Sequence, residues 1–192
     1  PRSPSVVIPS HTSGLAMTAQ QPVNNIMRGT LQSLSLVLAG VQAIEISAFD
    51  EALRTPSRES HLVSLRTQQI IDLESGAAQV ADPLGGSYYV EALTDDIEAR
   101  IWDMVLEIEA KGDVETLVDQ GYFKEIFHTA MERQSQNVAS GAENVVGVNV
   151  HQMAETDDTM LRDLTDSKFP PCKDHIDRIK AFKAARDPIG LQ

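Results

Sequence analysis

The chain has 192 residues, 42% of them hydrophobic, with one cysteine and a formal charge of -12 at pH 7. That length and apolar content suffice for one buried core, and the acidity, with a pI near 4.7, argues against a nucleic-acid partner, because phosphate binding needs clustered Lys and Arg. No apolar run approaches the roughly 20 residues of a membrane span, and Cys172 has no second thiol for a disulfide or a paired metal site, so composition predicts a soluble protein of a reducing, cytoplasmic compartment.

The chain starts at Pro1 without methionine and runs almost at once into Val6-Val7-Ile8, from which we expect a further N-terminal portion. Ser5 to Ser10 is β-branched and apolar in its middle and is followed by His11-Thr12-Ser13-Gly14. This pattern predicts a buried strand ending in a polar loop, of the kind found in parallel sheets. From Pro22 to Gly40, the apolar residues Met27, Leu31, Leu34, Leu38 and Val41 recur at spacings of four and three. They predict a helix ended by Gly40. Ala43 to Ser47 again reads as a strand. Thr55-Pro56 then offers an N-cap and a first-turn proline for a helix carrying Leu62, Leu65, Ile70 and Leu73 up to Gly76. The strand, helix, strand, helix order predicts a parallel α/β architecture with reactive groups in the loops that leave the C-terminal strand ends. Two strands are too few to close a barrel.

Asp82 to Ser87 is loop chemistry, and Gly85-Gly86 reads as a tight turn needing positive φ, since nucleotide-loop spacing and a P-loop lysine are both lacking. Thr94-Asp95-Asp96 is expected to open a helix with Ile97, Ile101, Val105 and Ile108, ending at Lys111-Gly112. Further helices are predicted at about 114–120 and 122–139, a short strand at Val145–Val150, a polar linker from His151 to Lys173 and a last helix from Asp174 to Arg186. The five histidines lack zinc-site spacing. His61, His128 and His175 fall in predicted helices and read as surface or partly packed residues. His11, directly after the first strand, stands where an α/β protein presents side chains to ligand. Asp50-Glu51 follows the second strand in the equivalent place, either as a ligand contact or as a cap for the next loop.

Five strings, HTSGLAMTAQQPVNNIMR, QAIEISAFDEAL, RTQQIIDLESG, DPLGGSYYVEALT and VVGVN, resemble the methylmalonyl-CoA mutase large-subunit family in order and spacing. The resemblance covers about residues 5 to 150, and the remainder resembles the family's connection toward a cobalamin-binding domain. It implies an α/β fold that is the C-terminal portion of a TIM (β/α)8 barrel, followed by helices and a linker. Residues 1–150 would form the barrel part and 151–192 the linker. It also implies an adenosylcobalamin-dependent radical isomerisation of a CoA thioester. The partners implied are the acyl-CoA substrate, a cobalamin-binding domain or subunit and the remaining barrel segment. The family's cobalt-ligating Asp-x-His-x-x-Gly string is absent from this sequence, as are the upstream barrel strands with the family's main catalytic tyrosine and histidine. The chain alone is therefore expected to carry no catalytic residue and to be inactive.

Residue by residue, the resemblance places Gln42 at the family's glutamine beside the acyl or thioester group, and Glu51 at the glutamate that binds the adenosyl ribose hydroxyls. Gly14, Arg54 and Thr55 fall beside the corrin ring. Ser47 stands at the asparagine of the adenosine-facing loop. The departures are Pro9 for a substrate-contacting histidine, His11, itself taken as a substrate-side residue, for a glutamine, and Leu15 for a tryptophan. Proline donates no hydrogen bond, so these substitutions imply either a different acyl substrate or an impaired site. The competing readings are a noncatalytic homologue serving as a structural or interaction subunit, and an unrelated α/β binding domain.

Overall fold

The computed structural model describes residues 7–166 and 173–186. Strand β1 (Pro9–His11), helix α1 (Asn24–Leu38), strand β2 (Ala43–Glu45) and helix α2 (Arg58–Glu74) come first. The helices α3 (Tyr88–Lys111), α4 (Val114–Asp119), α5 (Tyr122–Ser140), α6 (Thr159–Asp166) and α7 (Lys173–Ala185) follow. The two strands pair in parallel, Pro9 with Ala43 and His11 with Glu45, so β1, α1 and β2 form one βαβ unit, as the alternation predicts. The described residues are mostly helical, with this single two-stranded sheet.

Both strands are shorter than predicted. Val7 and Ile8 are 68% and 52% exposed, so the apolar start of the first segment is not the buried strand expected, and His11 belongs to the strand rather than to the loop. Ser5 and Val6 lie outside the described residues, as does Cys172. β2 stops at Glu45, where the ladder ends with the Thr12 N–H on Glu45 O, and two residues on the Ser47 amide turns to the Thr12 hydroxyl instead of to backbone.

Helix α1 ends as its glycine predicts. Gly40 adopts φ +76, its N–H reaches Val37 O, and the Val41 N–H reaches Leu36 O. These two bonds form a Schellman motif, which satisfies carbonyls the helix leaves open. The apolar stripe does share one side of α1, but the side against the sheet is Asn25, Gly29 and Ser33, while Met27 and Leu31 are 56% and 66% exposed. A Cβ built on Gly29 would lie 3.2 Å from Ile46 Cγ2, so small residues set this approach of helix to sheet. Helix α2 repeats the arrangement, burying Ser60, Ser64, Thr67 and Ile71 and exposing Leu62, Leu65, Ile70 and Leu73.

Three helix starts differ from expectation. α2 is capped by Ser57, whose hydroxyl accepts the Ser60 N–H at 3.1 Å, and not by Thr55. The Ser57 N–H is itself held by Asp50 Oδ2 at 3.1 Å, which fixes the cap there. α3 opens at Tyr88 instead of at Thr94, because Ser87 caps it and Glu91 reaches back to the Gly86 N–H. Thr94 sits inside the helix, its hydroxyl donating to Val90 O. Gly86, at φ +77, closes the expected turn. Within the predicted 151–173 linker, α6 forms with Asp158 accepting the Leu161 N–H. The predicted strand at Val145–Val150 is a compact turn: Asn149 accepts from Val145 N and donates to the Val138 and Glu143 carbonyls, each at 2.7 Å. The predictions for α4, α5 and α7 hold to within a residue or two. His61, His128 and His175 are exposed on α2, α5 and α7.

Asn25, 1% exposed, ties the βαβ unit together. Its Nδ2 donates to Thr18 O and Phe49 O, and its Oδ1 accepts from Thr18 N and Arg28. Asn25→Asp turns two donors into acceptors facing carbonyls. It is expected to lower stability by about 2–4 kcal/mol, at least as much as Asn25→Ala, read as a shift of the urea midpoint with unchanged slope.

Candidate functional site

Parallel strands present their reactive groups at their C-terminal ends, and here two loops meet at that end. Thr12, directly after β1, is 3% exposed. Its Oγ1 accepts the Ser47 N–H at 2.8 Å and its carbonyl accepts the Ser47 hydroxyl at 3.1 Å. The neighbouring Ser13 N–H is held by Gln32 Oε1 of α1. The loop after β1 is thus locked both to the loop after β2 and to the helix between the strands.

The Asp50-Glu51 pair divides into two roles. Asp50 is fully buried; its backbone carbonyl accepts the Leu53 and Arg54 N–H groups and its carboxylate holds Ser57. It is the cap that one of the two sequence readings described. Glu51 is exposed, and a Cβ built on Gly14 would stand 3.0 Å from Glu51 Oε1 and 3.7 Å from Ser47 Oγ. Gly14, Ser47 and Glu51 therefore form one cluster. Arg54 is half-buried and Thr55 exposed in the loop that continues from Glu51.

Gln42 stands apart from this cluster, at the N-terminal end of β2. Its Oε1 accepts the Ile8 N–H and its Nε2 donates to Gly40 O, both at 2.7 Å, so its carboxamide joins the start of β1 to the end of α1. His11 lies between these two ends, its Nδ1 against Thr12 O and its Nε2 3.9 Å from Glu45 Oε1. Leu15 is exposed in a helical turn, Gly14–Ala16, next to the cluster.

Behind the cluster, Arg28 donates to Thr18 Oγ1, Asn25 Oδ1 and Val146 O. Burial lowers the pKa of its guanidinium below the usual value, yet an arginine stays protonated near neutrality. Gln21 donates its N–H to Asp158 and its carboxamide to His151 O. These contacts dock the segment around 146–158 onto the loop that follows β1. Sequence reading missed Asn25, Arg28, Gln21 and Asp158 as a set, since their partners are 137 residues apart at the extreme. In the sequence Thr12 stands out only as a neighbour of His11, and no local pattern announces its role. Among the described residues no group of His, Cys, Asp and Glu could hold a metal ion, and no helix is long and apolar enough to cross a membrane.

The family model for methylmalonyl-CoA mutase matches residues 1–192. The chain is 36% identical over 186 residues to the 2-hydroxyisobutanoyl-CoA mutase large subunit of Aquincola tertiaricarbonis, covering 94% of this chain and 32% of that protein. It is 34% identical to the mitochondrial methylmalonyl-CoA mutase of Mus musculus, covering 96% and 25% of the two chains. It is 32% identical to the methylmalonyl-CoA mutase of Cereibacter sphaeroides, with 100% and 27% covered. The chain belongs to the methylmalonyl-CoA mutase family, and the resemblance read from its five strings is borne out. It spans about a quarter to a third of the length of these relatives.

Thr12→Val keeps the shape of the side chain and leaves the buried Ser47 N–H without an acceptor. A loss of about 1–3 kcal/mol is expected, with Thr12→Ser close to wild type, both measured by denaturant unfolding.

Proposed function

We propose that this chain is part of an adenosylcobalamin-dependent acyl-CoA mutase, an isomerase that rearranges the carbon skeleton of a CoA thioester, and that it works in a reducing compartment such as the cytoplasm. On this reading, β1 and β2 are the last two strands of a TIM barrel within residues 1–150. Residues 151–192 form the connection toward a cobalamin-binding domain or subunit, and a remaining barrel segment completes the acyl-CoA channel. Membership in the mutase family supports the isomerase reading over a noncatalytic homologue. The observation that carries the site is the cluster of Gly14, Ser47 and Glu51 at the C-terminal ends of two parallel strands.

The residues present fit the adenosyl group. The Glu51 carboxylate is exposed, makes no side-chain hydrogen bond among the described residues, and offers two acceptor oxygens to paired ribose hydroxyls. Gly14 leaves open the space that a Cβ would take from that carboxylate. The chemistry supplied by bound adenosylcobalamin is homolytic and exchanges hydrogen with the substrate. The residues of this chain bind and position. Glu51 would hold the ribose, with Ser47 beside it and with Arg54 and Thr55 along the same rim; the Thr12–Ser47 lock would keep the two loops from drifting apart. His11, the last residue of β1, would face the substrate, and Gln42, at the far end of β2, would reach it by exchanging its bonds to the Ile8 N–H and Gly40 O. Keeping water from the reacting groups needs a closed channel, which the two strands cannot form by themselves.

The direct test is acyl-CoA isomerisation with adenosylcobalamin by the completed barrel and its cobalamin-binding partner. Turnover by the assembly but not by residues 1–192 alone is the expected result. In that assembly, Glu51→Ala should weaken adenosylcobalamin binding about tenfold or more, the size of a charge-assisted hydrogen bond. Gly14→Ala should act in the same direction by displacing the carboxylate. Unchanged affinity and turnover in Glu51→Ala would remove the ribose assignment.

A further inference from the structure

Alternation along a strand sends successive side chains to opposite faces. In β2, Ile44 faces the helices, where it lines a cavity with Ser33, Val37, Leu65 and Ile71. Ala43 and Glu45 therefore share the opposite face, and their register partners Pro9 and His11 stand beside them. A shallow cleft on this side of the sheet is lined by Pro9, Ser10, His11, Ala43, Ile44 and Glu45. His11 is the only basic residue among these six. Glu45 is 80% exposed at its side chain and His11 49%.

The pairing sets an upper bound on the charge of this face. A carbonyl only accepts, so the His11 Nδ1 against Thr12 O, at 2.5 Å, carries a proton. Nε2 then faces the Glu45 carboxylate at 3.9 Å. With Nε2 protonated the pair is neutral, and with Nε2 bare it carries one negative charge; in neither state does the face hold a surplus positive charge. The other pair on this face, Pro9 and Ala43, offers no side-chain hydrogen-bond donor, and the Ser10 hydroxyl beside it is uncharged. Among the described residues that line this cleft, a carboxylate brought out of water would meet no surplus cation and would approach a like charge. An uncharged alkyl group would meet Pro9 and Ala43 instead.

We propose that Glu45, with His11, is a specificity-determining pair that selects acyl-CoA substrates with an uncharged acyl group and rejects those ending in a second carboxylate. The inference rests on the mutase reading and on this face lining the acyl channel. It turns the substitutions at Pro9 and His11 into a change of substrate class rather than a loss of function.

The test compares isobutyryl-CoA with methylmalonyl-CoA, which share a branched skeleton and differ by a methyl in place of a carboxylate. Binding by calorimetry and kcat/KM are measured on the completed assembly with adenosylcobalamin, for wild type, Glu45→Gln and Glu45→Asp. The wild type should favour isobutyryl-CoA by about tenfold or more, as a like charge on the channel wall demands. Glu45→Gln should shrink that ratio while Glu45→Asp, which keeps the charge, preserves it. A purely structural role for Glu45 would change both thioesters alike and leave the ratio fixed. A wild type that prefers methylmalonyl-CoA, or a ratio unmoved in Glu45→Gln with turnover intact, overturns this inference and leaves the mutase reading standing. A folded assembly that binds and isomerises neither thioester overturns both.

Discussion

The buried amide of Asn25 is the contact on which the rest of the site depends. Three-residue strands exchange too few backbone bonds to hold their loops in place, so position is set by side chains that bond to backbone. Asn25, rooted in α1, grips the loop after β1 at Thr18 and the loop after β2 at Phe49. Thr12 ties the same two loops nearer the strands, and Asp50 carries the restraint onward to the start of α2. Each of these groups is almost wholly shielded from water, where an unsatisfied partner is costly and a satisfied one is rigid. Gly14, Ser47 and Glu51 meet because that network leaves their loops no freedom to separate.

The packing follows a second rule, in which the helices bury mostly small residues and leave most of the large ones outside, Ile71 being the exception on α2. Gly29 and Ser33 on α1, and Ser60, Ser64 and Thr67 on α2, let the helix axes come close, while Met27, Leu31, Leu62 and Leu73 lie on the outer surface. Helix α3 goes further, exposing Ile97, Ile101, Trp102, Met104 and Leu106. Apolar surface on this scale signals contact with other protein. On the proposed barrel, outward faces of α1 and α2 would pack on neighbouring helices, and the open edges of the two strands would pair with further strands. The exposed apolar residues and the short core are then two views of one incomplete closure.

This arrangement also explains what the sequence could reveal. Periodicity found the βαβ unit and placed α1, α2, α4, α5 and α7, because spacing reports a helix whichever face is buried. It gave no sign of the inward side, since the buried residues of α1 and α2 are, Ile71 apart, Ser, Thr, Asn and Gly and carry no hydrophobic signal. Local chemistry gave the Gly40 end of α1 and the Gly86 turn, where one residue decides the backbone. It placed the starts of α2 and α3 at Thr55 and Thr94 although Ser57 and Ser87 cap them, since competing candidates lay within a few residues and Asp50, through a tertiary contact, fixed the choice at α2. The turn at 145–150 read as a strand because its valines alternate with little else, while Asn149, which folds it, bonds to carbonyls from 138 onward. The cluster of Gly14, Ser47 and Glu51 followed from resemblance alone. No spacing rule predicts that residues 14 and 51 approach one another.

Distance along β2 orders the roles that the site residues can take. A strand rises about 3.3 Å per residue, which puts Gln42 about 16 Å from Ser47 at the other end of the segment. Gln42 also shares the helix side with Ile44, its carboxamide taken by the Ile8 N–H and Gly40 O, so the two stand on opposite faces as well as at opposite ends. On the cleft face stand the apolar step of Pro9 with Ala43 and, two register positions nearer the cluster of Gly14, Ser47 and Glu51, the polar step of His11 with Glu45. A substrate threaded along this face would meet the uncharged wall first and the paired His11 and Glu45 just before Ser47 and Glu51. Glu45 would then lie about 7 Å, two residues of rise, before Ser47. At that distance, a wall charge acts on the part of the acyl group that must lie beside the adenosyl group for hydrogen to pass. Selection at Glu45 would therefore operate where the chemistry occurs, and a carboxylate tolerated elsewhere in the channel would be refused there.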